Sequence, residues 1–570
     1  MAKEMISGSD ALWRSLIEEK VETVFGYPGG QIMPVFDRLC DYTDRINHIL
    51  VRHEQGAVHA AQGYARVKGA PGVVLVTSGP GATNVITGVA DAMVDSTPLV
   101  VITGQVPCGS LGTDAFQETD VIGLTAPITK WNYQIRRPEE VAWAIARAFY
   151  IARTGRPGPV VLDLTKDAQV GEVDFVYEPC RFIRSYVPKP HPSEQAINRA
   201  VQLLDAAERP MVVFGQGITI SHAEAQLQAF LEKGDIPAGA TLLGLSALPT
   251  GHPLLKGMVG MHGNVAPNIM TNSCDVLVAV GMRFDDRVTG VVERYAPQAK
   301  IIHIDIDKSE LGKIIRPEIA ICGDAREVLE ALTQKMAPRT HKGWSDGFVE
   351  CQVAEQEKVI EPEVHPKDPL IRMGEVVDRV SRATDGQAVI VTDVGQNQMM
   401  AARYSSFRSP RSFLSSGGLG TMGFGLPAAI GAKVAAPDRT VCLFVGDGGI
   451  QMTLQEFGTI MQDGIGVKMI LLNNNWLGNV RQWQELFFGE RYSQTRMLNP
   501  DYRMIAAAYG IRSAVVQDRA DLEPALKEML SDDAPFLLDV HVQENGMVMP
   551  MVPPGRGIDE IMLTDKTWYK

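Results

Sequence analysis

Two polar clusters in the last third of the chain have residue types and a spacing that suit metal chemistry. Gly446-Asp447-Gly448-Gly449 directly follows the apolar run VCLFV (441–445). Asn473-Asn474-Asn475 follows VKMILL (467–472), after an intervening helical pattern. The 27 residues from Asp447 to Asn474 are the length of one βαβ unit. The spacing therefore predicts that the two clusters lie at the ends of neighbouring parallel strands.

The carboxyl edge of such a sheet is where open α/β proteins bind ligands. The carboxylate of Asp447 and the amide oxygen of Asn474 are hard ligands suited to Mg²⁺, which completes its octahedron with phosphate and water. The neighbouring glycines allow backbone N–H groups to approach a diphosphate. Gly-Asp and Asn-Asn pairs also end ordinary strands as turns, and either pair alone favours that interpretation. Both pairs at this spacing favour a metal and diphosphate site.

A candidate acid lies in the first third of the chain. The short strand pattern HILV leads through Arg52 and His53 to Glu54, and a helix rich in small residues follows. A carboxyl group against an apolar surface holds a proton more readily and can act as an acid or base. The alternative is an acidic residue that only stabilises the helix N-terminus. From the local pattern alone, that alternative is favoured.

The segment Gly418-Leu-Gly420-Thr-Met-Gly423 matches the dinucleotide pattern GxGxxG. A single match is weak, and no convincing long strand precedes it. Asp447, which lies beyond it, is better used as a metal ligand. We therefore do not predict nicotinamide binding.

Short β-branched runs alternate with helical patterns along the chain, as in GVVLV (72–76) and PVVLDL (159–164). This alternation predicts an α/β protein with doubly wound parallel sheets. Proline-rich stretches at 179–195 and 337–369 are typical of interdomain linkers. They divide the chain into three predicted domains, which comprise residues 1–180, 195–337 and 369–570.

Composition excludes several classes of function. The net charge is −13, without a basic stripe, which disfavours nucleic acid and anionic membranes as partners. The seven cysteines form no CxxC pair, and their odd number in a long chain favours a reducing cytoplasm. The start of the chain reads as an amphipathic helix capped by Ser7 or Ser9, without a signal-peptide core. No apolar run approaches the ~20 residues of a membrane span.

The metal motif and Glu54 together resemble the thiamine-diphosphate enzymes. Further segments narrow the resemblance to the acetohydroxyacid synthase (acetolactate synthase) family, catalytic large subunit, over about residues 5–560. These segments include GYPGG (26–30), RHEQGA (52–57), SGPGATN (78–84), TGQVP (103–107), GTDAFQE (112–118), GRPGPV (155–160), GMRFDDRVTG (281–290), GGLGTMGFGLPAAIG (417–431) and VRQWQ (480–484).

The resemblance implies three cofactors, namely thiamine diphosphate, Mg²⁺ and FAD. Glu54 would protonate the aminopyrimidine ring, and Met422 would support a bent cofactor. The implied catalytic residues are Glu54, Phe116, Gln117, Lys166 and Trp483. The implied thiamine-diphosphate contacts are Glu54, Gln117, Gln396, Asn397, Gly420, Met422, Asp447, Gly448, Gly449 and Asn474. The implied metal ligands are Asp447, Asn474 and the carbonyl oxygen of Trp476.

The middle domain resembles the FAD-binding domain of that family, flanked by the outer pyrimidine-binding and diphosphate-binding domains. Each glycine of that domain, taken alone, could equally belong to an ordinary turn. The RFDDR segment is therefore the most informative part of the resemblance to an FAD-binding domain. The implied FAD contacts are Ser96, Arg156, Gly215, Gly217, Thr241, Leu242, Met261, His262, Gly281, Arg283, Asp285, Asp305, Ile306 and Asp324, with Gly417 and Gly418 as further cofactor contacts. No redox step is expected, so the flavin role would be structural.

The implied reaction is decarboxylation of pyruvate and condensation with a second pyruvate or with 2-ketobutyrate. The implied partners are those two substrates, a second copy of the chain in a homodimer or tetramer, and a possible small regulatory subunit. Two other hypotheses are a 2-keto acid decarboxylase or oxidase, and a non-catalytic binding module. The intact Glu54, Asp447 and Asn474 argue against the last.

Three residues depart from the family pattern. Gln31 replaces a small residue after GYPGG, Asn397 replaces His in GQHQ, and Asn479 replaces Met before VRQW. Asn397 still carries a hydrogen-bond donor for phosphate. Gln31 and Asn479 would make the substrate channel more polar and bear on acceptor preference and inhibitor sensitivity.

Overall fold

The computed structural model describes residues 4–569. It contains three six-stranded sheets, all parallel, and one small antiparallel pair of strands. The predicted α/β class with three parallel-sheet domains is therefore confirmed. Among the described residues, no helix is long and apolar enough to cross a membrane.

The first sheet and its flanking pair are formed early in the chain. The strands are β1 (Met5–Ser7), β2 (Thr23–Tyr27), β3 (Asn47–Leu50), β4 (Gly72–Val76), β5 (Leu99–Gln105), β6 (Trp131–Ile135), β7 (Pro159–Thr165) and β8 (Glu172–Asp174). The helices are α1 (Gly8–Glu18), α2 (Met33–Leu39), α3 (Glu54–Lys68), α4 (Pro80–Asn84), α5 (Ile86–Val94), α6 (Val121–Thr125), α7 (Val141–Arg153) and α8 (Lys166–Val170). The sheet order is β3-β2-β4-β5-β7-β6. The predicted Ser7 cap is confirmed, because its Oγ accepts the Asp10 N–H at 3.1 Å.

The central sheet has the order β11-β10-β9-β12-β13-β14. Its strands are β9 (Pro210–Phe214), β10 (Ala238–Ala240), β11 (Leu255–Met258), β12 (Val276–Val280), β13 (Lys300–Asp305) and β14 (Ile319–Cys322). The helices are α9 (Glu194–Ala206), α10 (Gly217–Ile220), α11 (Glu224–Gly234), α12 (Val265–Ser273), α13 (Asp286–Thr289) and α14 (Ala325–Lys335). The proline-rich connection that follows is largely helical, with α15 (Lys342–Asp346), α16 (Val349–Glu355), a π-helical turn (Gln356–Ile360) and α17 (Glu361–Val364).

The third sheet has the order β16-β15-β17-β18-β20-β19. Its strands are β15 (Val389–Thr392), β16 (Phe413–Leu414), β17 (Val441–Gly446), β18 (Val467–Asn473), β19 (Arg512–Val516) and β20 (Phe536–His541). The helices are α18 (Met373–Ala383), α19 (Gln396–Tyr404), α20 (Gly425–Ala435), α21 (Asp447–Ile450), α22 (Phe457–Asp463), α23 (Gly478–Phe487), α24 (Tyr502–Ala508) and α25 (Leu522–Met529).

The hydrophobic cores do not follow the order of the chain. One buried cluster joins residues of the first domain, such as Val58 and Val74, to residues of the third, such as Phe424 and Leu443. Apolar side chains near the end of the chain, including Met551, pack into the core under the central sheet. The three sheets are thus packed against one another through shared apolar surfaces.

Candidate active site

Asp447 lies where the sequence predicts, at the carboxyl edge of the third sheet. It is the first residue of α21, directly after β17, and is 1% exposed. Strands β17 and β18 pair in parallel with Gly446 opposite Leu472, so Asp447 and the asparagines leave the sheet side by side. Burial raises the pKa of Asp447 to about 6, and no cation of residues 4–569 opposes that shift. A buried carboxylate without a basic partner fits a site for a metal cation.

The neighbouring donors are neutral oxygens. Asn474 is 3% exposed, and its Oδ1 accepts the Trp476 N–H at 3.2 Å. Within residues 4–569, no cluster of three or more His, Cys, Asp or Glu side chains is arranged to hold a metal. A cation at Asp447 would therefore rely on amide, carbonyl and phosphate oxygens, which is the ligand set that Mg²⁺ prefers.

The two glycines after Asp447 are required by close packing. A Cβ on Gly448 would lie 2.6 Å from Leu477 Cδ2 and 3.5 Å from Met422 Cε. A Cβ on Gly449 would lie 2.4 Å from Asp393 Oδ1. The structure thus brings Met422 against the metal motif, as the resemblance implies.

Asp393 was missed by the sequence analysis. It directly follows β15, is 1% exposed, and accepts the N–H groups of Val394 at 2.8 Å, Gly423 at 3.0 Å and Gly425 at 2.9 Å. Burial raises the pKa of this carboxyl, and the peptide N–H groups oppose the shift. Asp393 holds the loop that carries Met422 beside the metal motif. An acidic residue ending a buried strand was the available signal.

Gln396 and Asn397 lie at the same edge, but most of their donors are used within the protein. Gln396 Nε2 donates to Gln482 Oε1 at 3.1 Å and to the Gly546 carbonyl at 2.9 Å. Asn397 Nδ2 donates to the Phe444 carbonyl at 3.0 Å. An amide nitrogen has two hydrogens, so Asn397 keeps one for a phosphate oxygen.

Glu54 is the first residue of α3, where strand β3 gives way to the helix. Its Oε2 accepts the Asn84 Nδ2 donor at 2.9 Å. The loop just before helix α4, which carries Asn84, contains Thr77 and Ser78. Their hydroxyl oxygens are buried and have no partner within the described part of the chain. Orphaned buried hydroxyls next to a carboxyl group fit a site for a polar heterocycle. Asn84, which orients Glu54, was not found from the sequence.

The segment with Phe116 and Gln117 lies beside this loop. Gln117 has a left-handed φ of 61°, and a Cβ on Gly79 would lie 3.0 Å from its Cα. Glu118 fixes the turn by accepting N–H groups, including those of Thr113 at 3.2 Å and Ala115 at 3.1 Å. Phe116 is 84% exposed. The Phe116 ring next to this constrained turn is thus left uncovered by the other described residues of the chain.

Lys166 begins α8, at the edge of the first sheet. Its Nζ donates to the Gly30 carbonyl at 3.0 Å, and partial burial lowers its pKa. Gln31 is next to that carbonyl, so the two residues are near neighbours.

Within one chain, Glu54 and Asp447 belong to separate hydrogen-bond networks. The hydrogen-bond partner of Glu54 is in the first domain, whereas Asp447 bonds to Asn499 and Gly448 in the third. No described hydrogen bond links the two carboxyl groups.

A separate cleft of about 850 Å³ lies between the three domains. The residues predicted for FAD all line it: Ser96, Arg156, Gly215, Gly217, Thr241, Leu242, Met261, His262, Gly281, Arg283, Asp285, Asp305, Ile306 and Asp324. The further cofactor contacts Gly417 and Gly418 also line it, as do Asn479, Trp483 and Gly420, which was predicted to contact thiamine diphosphate. These residues come from all three domains and from distant parts of the sequence. The cleft is large enough for a dinucleotide-sized cofactor.

Polar groups in the cleft suit a nucleotide. Asp305 ends β13, and burial raises its pKa to about 6. His262 is 6% exposed, its Nδ1 lacks a partner among the described residues, and burial lowers its pKa to about 4. Gly215 and Gly217 pack against Gly281, because a Cβ on either would come within 2.5 Å of its backbone. These glycines let two strand-end loops meet at the cleft.

Trp483 lies on α23 and lines both this cleft and a second, mainly apolar cavity of about 710 Å³. Its ring packs edge-on against Phe487 at 6.0 Å, and the Arg287 guanidinium lies 5.8 Å from the ring centre. Asn479, one turn earlier, lines both cavities and has a buried Oδ1 without a partner within residues 4–569.

Comparison with known proteins agrees with this geometry. The family models for the N-terminal TPP binding domain, the central domain and the C-terminal TPP binding domain of thiamine pyrophosphate enzymes match residues 6–124, 197–332 and 393–540. The acetolactate synthase large subunit of Lactococcus lactis is 44% identical over 560 residues, covering 98% of this chain and 96% of that protein. The isozyme 2 large subunit of Escherichia coli is 44% identical over 559 residues, covering 98% and 99%.

The chain belongs to the acetolactate synthase large-subunit family. The family resemblance, the fold class and the thiamine-pyrophosphate-dependent type of enzyme are therefore confirmed. The roles of individual residues, Mg²⁺ and FAD stay predictions.

In the present chain, a buried ion pair of the first domain holds the GGLG segment (417–420). Arg66 Nη2 lies 2.9 Å from Asp95 Oδ2, with side chains 7% and 0% exposed. Asp95 accepts the N–H groups of Gly417 at 2.9 Å and Gly418 at 2.8 Å. The first N–H group of the GxGxxG match, that of Gly418, thus binds a carboxylate of the protein instead of a cofactor phosphate.

We predict that Arg66→Met strongly destabilises the protein. The substitution leaves Asp95 as an uncompensated buried charge, a change that costs about 3–5 kcal/mol in other proteins. Lys68→Met is the matched control, because Lys68 in the same helix forms an ion pair with Glu22 at 2.7 Å in which both side chains are exposed. Exposed pairs contribute only ~0–1 kcal/mol. Urea unfolding followed by circular dichroism measures both, and equal midpoints would contradict the assignment of Arg66 as the clamp.

Proposed function

We propose that the protein is an acetolactate synthase that uses thiamine diphosphate and Mg²⁺. It decarboxylates pyruvate and joins the two-carbon fragment to a second pyruvate or to 2-ketobutyrate. The products are 2-acetolactate and 2-aceto-2-hydroxybutyrate, in the first common step of branched-chain amino acid biosynthesis. The observation that carries the proposal is the buried Asp447, which has no salt-bridge partner within residues 4–569, beside Asn474 in a chain related to this family over nearly its full length.

Asp447, Asn474 and the carbonyl of Trp476 would hold Mg²⁺, and the glycine N–H groups after Asp447 would approach the diphosphate. The ordered Met422 loop, fixed by Asp393, would set the position of the cofactor along this edge. When bound, thiamine diphosphate supplies an electron sink for breaking the carbon–carbon bond next to a keto group. The protein contributes the orientation of the reactants and the placement of protons.

Glu54 is the proposed acid. Asn84 holds Oε2, so Oε1 is the oxygen that can exchange a proton with a ring nitrogen. The unpartnered Thr77 and Ser78 hydroxyls would orient the same ring. Lys166 places a positive charge on the rim of the first domain, where it would attract a substrate carboxylate.

FAD is the proposed occupant of the interdomain cleft. Asp305 at the end of β13 is placed to accept ribose hydroxyls, as acidic residues at strand ends do in nucleotide-binding sheets. His262 can offer its unpartnered Nδ1 to the flavin. The proposed carboligation transfers no net electrons, so the flavin would stabilise the contact between the domains.

The active assembly is proposed to contain at least two chains, as a homodimer or a dimer of dimers. Large apolar side chains next to both half-sites are exposed: Phe116 beside Gln117 at 84%, Met452 near the metal motif at 55%, and Leu498 beside Asn499 at 98%. Exposed apolar side chains at an incomplete site support an interface with a second copy. A small regulatory subunit is a further proposed partner.

The protein with thiamine diphosphate, Mg²⁺ and FAD is expected to convert pyruvate into CO₂ and 2-acetolactate, and to form 2-aceto-2-hydroxybutyrate when 2-ketobutyrate is added. Glu54→Gln should retain cofactor binding, because an amide keeps the shape, but should slow exchange of the thiazolium proton strongly. Product analysis and NMR of hydrogen–deuterium exchange measure these results.

Acetaldehyde as the main product would instead identify a decarboxylase. Asn84→Asp, which turns the donor on Glu54 into an acceptor, is a matched variant that should also impair exchange. Wild-type exchange in Glu54→Gln would show that Glu54 has only a structural role.

Trp483→Leu is expected to lower the preference for 2-ketobutyrate over pyruvate by about 10-fold, the effect of roughly one methylene contact. Acetolactate formation should persist, because Glu54 and Asp447 are unaltered. Competition between the two keto acids at a fixed ratio measures the preference. If total activity falls and the product ratio is unchanged, the indole is only a packing residue.

Assembly is tested with Phe116→Asp, which places a charge on the exposed ring position next to the first half-site. Light scattering is expected to show fewer dimers, and pyruvate turnover should fall in proportion. Val176→Asp is the control, because Val176 is also exposed, at 65%, and lines neither of the two cavities. A fully active monomer of the wild-type protein would refute the proposed assembly.

A further inference from the structure

A segment outside the third sheet reaches the proposed metal ligand. Residues 489–501 follow α23 and run back across the end of β18, where Trp476 and Arg496 form an antiparallel bridge. The Leu477 N–H donates to the Thr495 carbonyl at 2.8 Å, and the Met497 N–H donates to the Asn475 carbonyl at 2.9 Å. We call residues 489–501 the strap. It fixes the backbone that carries Trp476.

Asn499 of the strap is inserted among the oxygens of the metal motif. Its Nδ2 lies 2.7 Å from Asp447 Oδ2, 3.0 Å from Asn473 Oδ1 and 3.1 Å from Asn475 Oδ1. An amide nitrogen has only two hydrogens, and the shortest contact is to the carboxylate. Asn499 is therefore held chiefly to Asp447.

The opposite end of the Asn499 amide is fixed as well. Its Oδ1 accepts from Gln451 Nε2 at 3.1 Å and from the Tyr502 hydroxyl at 3.3 Å. Both groups also lie within hydrogen-bonding distance of the Asp447 carbonyl, at 3.0 and 3.2 Å, and the single Tyr502 hydroxyl hydrogen serves one of its two acceptors at a time. This network defines which end of the amide is the nitrogen, since both Oδ1 partners are donors.

We propose that Asn499 is a positioning residue for the metal, an inference that rests on the proposed metal site at Asp447. Asn499 holds Oδ2 of the carboxylate, and Oδ1 keeps only a 3.2 Å contact with the adjacent Gly448 N–H. One oxygen is thus committed to the protein and the other is left for the cation. Hydrogen bonds that orient metal ligands in this way contribute about 10–100-fold to metal affinity in other proteins.

The strap also connects this carboxylate to the cavity beside Trp483. Arg491, Tyr492 and Ser493 line that cavity, and Thr495 Oγ1 donates to Gln484 Oε1 of α23 at 2.8 Å. The same segment therefore contacts the acceptor side of the proposed site at one end and the metal ligand at the other.

The test compares Mn²⁺ affinity in the presence of thiamine diphosphate, measured by electron paramagnetic resonance of free Mn²⁺. Asn499→Leu keeps the branched shape of the side chain and removes all of its hydrogen bonds, and it should weaken Mn²⁺ binding by about 10–100-fold. If the leucine variant does not fold, Asn499→Ser, whose side chain is too short to reach Asp447, should also weaken Mn²⁺ binding. Excess Mg²⁺ should restore pyruvate turnover in either variant.

Thr495→Val is the matched control, because it removes a buried hydrogen bond from the same strap without touching Asp447. Its Mn²⁺ affinity should equal that of the wild type. Equal weakening in Thr495→Val would mean that the strap acts only by general packing and would overturn the inference, as would unchanged affinity in a folded Asn499→Leu. The Asp447→Ala variant tests the metal site separately from the role of Asn499. Wild-type Mn²⁺ affinity in that variant would overturn the metal site itself.

Discussion

The contact between α3 and α20 is the constraint on which the arrangement of the outer domains depends. A Cβ on Gly63 would lie 2.0 Å from the Ala428 carbonyl oxygen, and a Cβ on Gly431 would lie 1.8 Å from that of Ala60. Each helix therefore presents a glycine to the backbone of the other. This close crossing merges the apolar faces of the first and third sheets into one core. Since Glu54 begins α3, the crossing also fixes where the proposed acid lies relative to the third domain.

Buried carboxylates mark the other fixed points of the molecule, and the way each is compensated separates structure from function. Asp95 has Arg66 and two peptide N–H groups, and Asp393 has three peptide N–H groups. Glu456 accepts the Arg52 N–H, at the start of the helix that carries Glu54. Asp447 is about as buried as the others, and its partners are the Asn499 amide and the Gly448 N–H, without an ionic partner within residues 4–569. A buried carboxylate with only neutral partners is the arrangement at which the proposed cation would bind.

The sequence predicted the strands and their edges well, because buried parallel strands are short β-branched runs bounded by glycine and polar residues. Asp447 and Asn474 were found since both lie next to such runs. Asn499 and Asn84 were not, because their roles depend on contacts across distant chain segments that no local pattern records. Asp393 was missed although it also ends a buried strand, because its role depends on peptide N–H groups of the Met422 loop. The stretch 337–369 was predicted to be an interdomain linker from its prolines, and the structure shows that residues 342–364 are largely helical, with Phe348 and Val359 packed into the core under the central sheet. Prolines at helix starts and ends are compatible with helix, so the composition alone did not indicate this packing.

The hydrogen-bond networks of Glu54 and Asp447 are held by the same contacts that hold the fold together. Helix α3 packs closely against α20 of its own chain, and Glu456 binds the Arg52 N–H just before the helix begins. The Glu54 carboxylate is bound by Asn84 of the first domain, and the Asp447 carboxylate is bound by Asn499 of the third. A hinge motion between the outer domains would have to open the glycine crossing and the Arg66–Asp95 clamp, at the cost of a shared core. A second chain that covers the exposed Phe116 and Leu498 would disturb neither contact, so the proposed assembly is more compatible with this fold than a hinge motion.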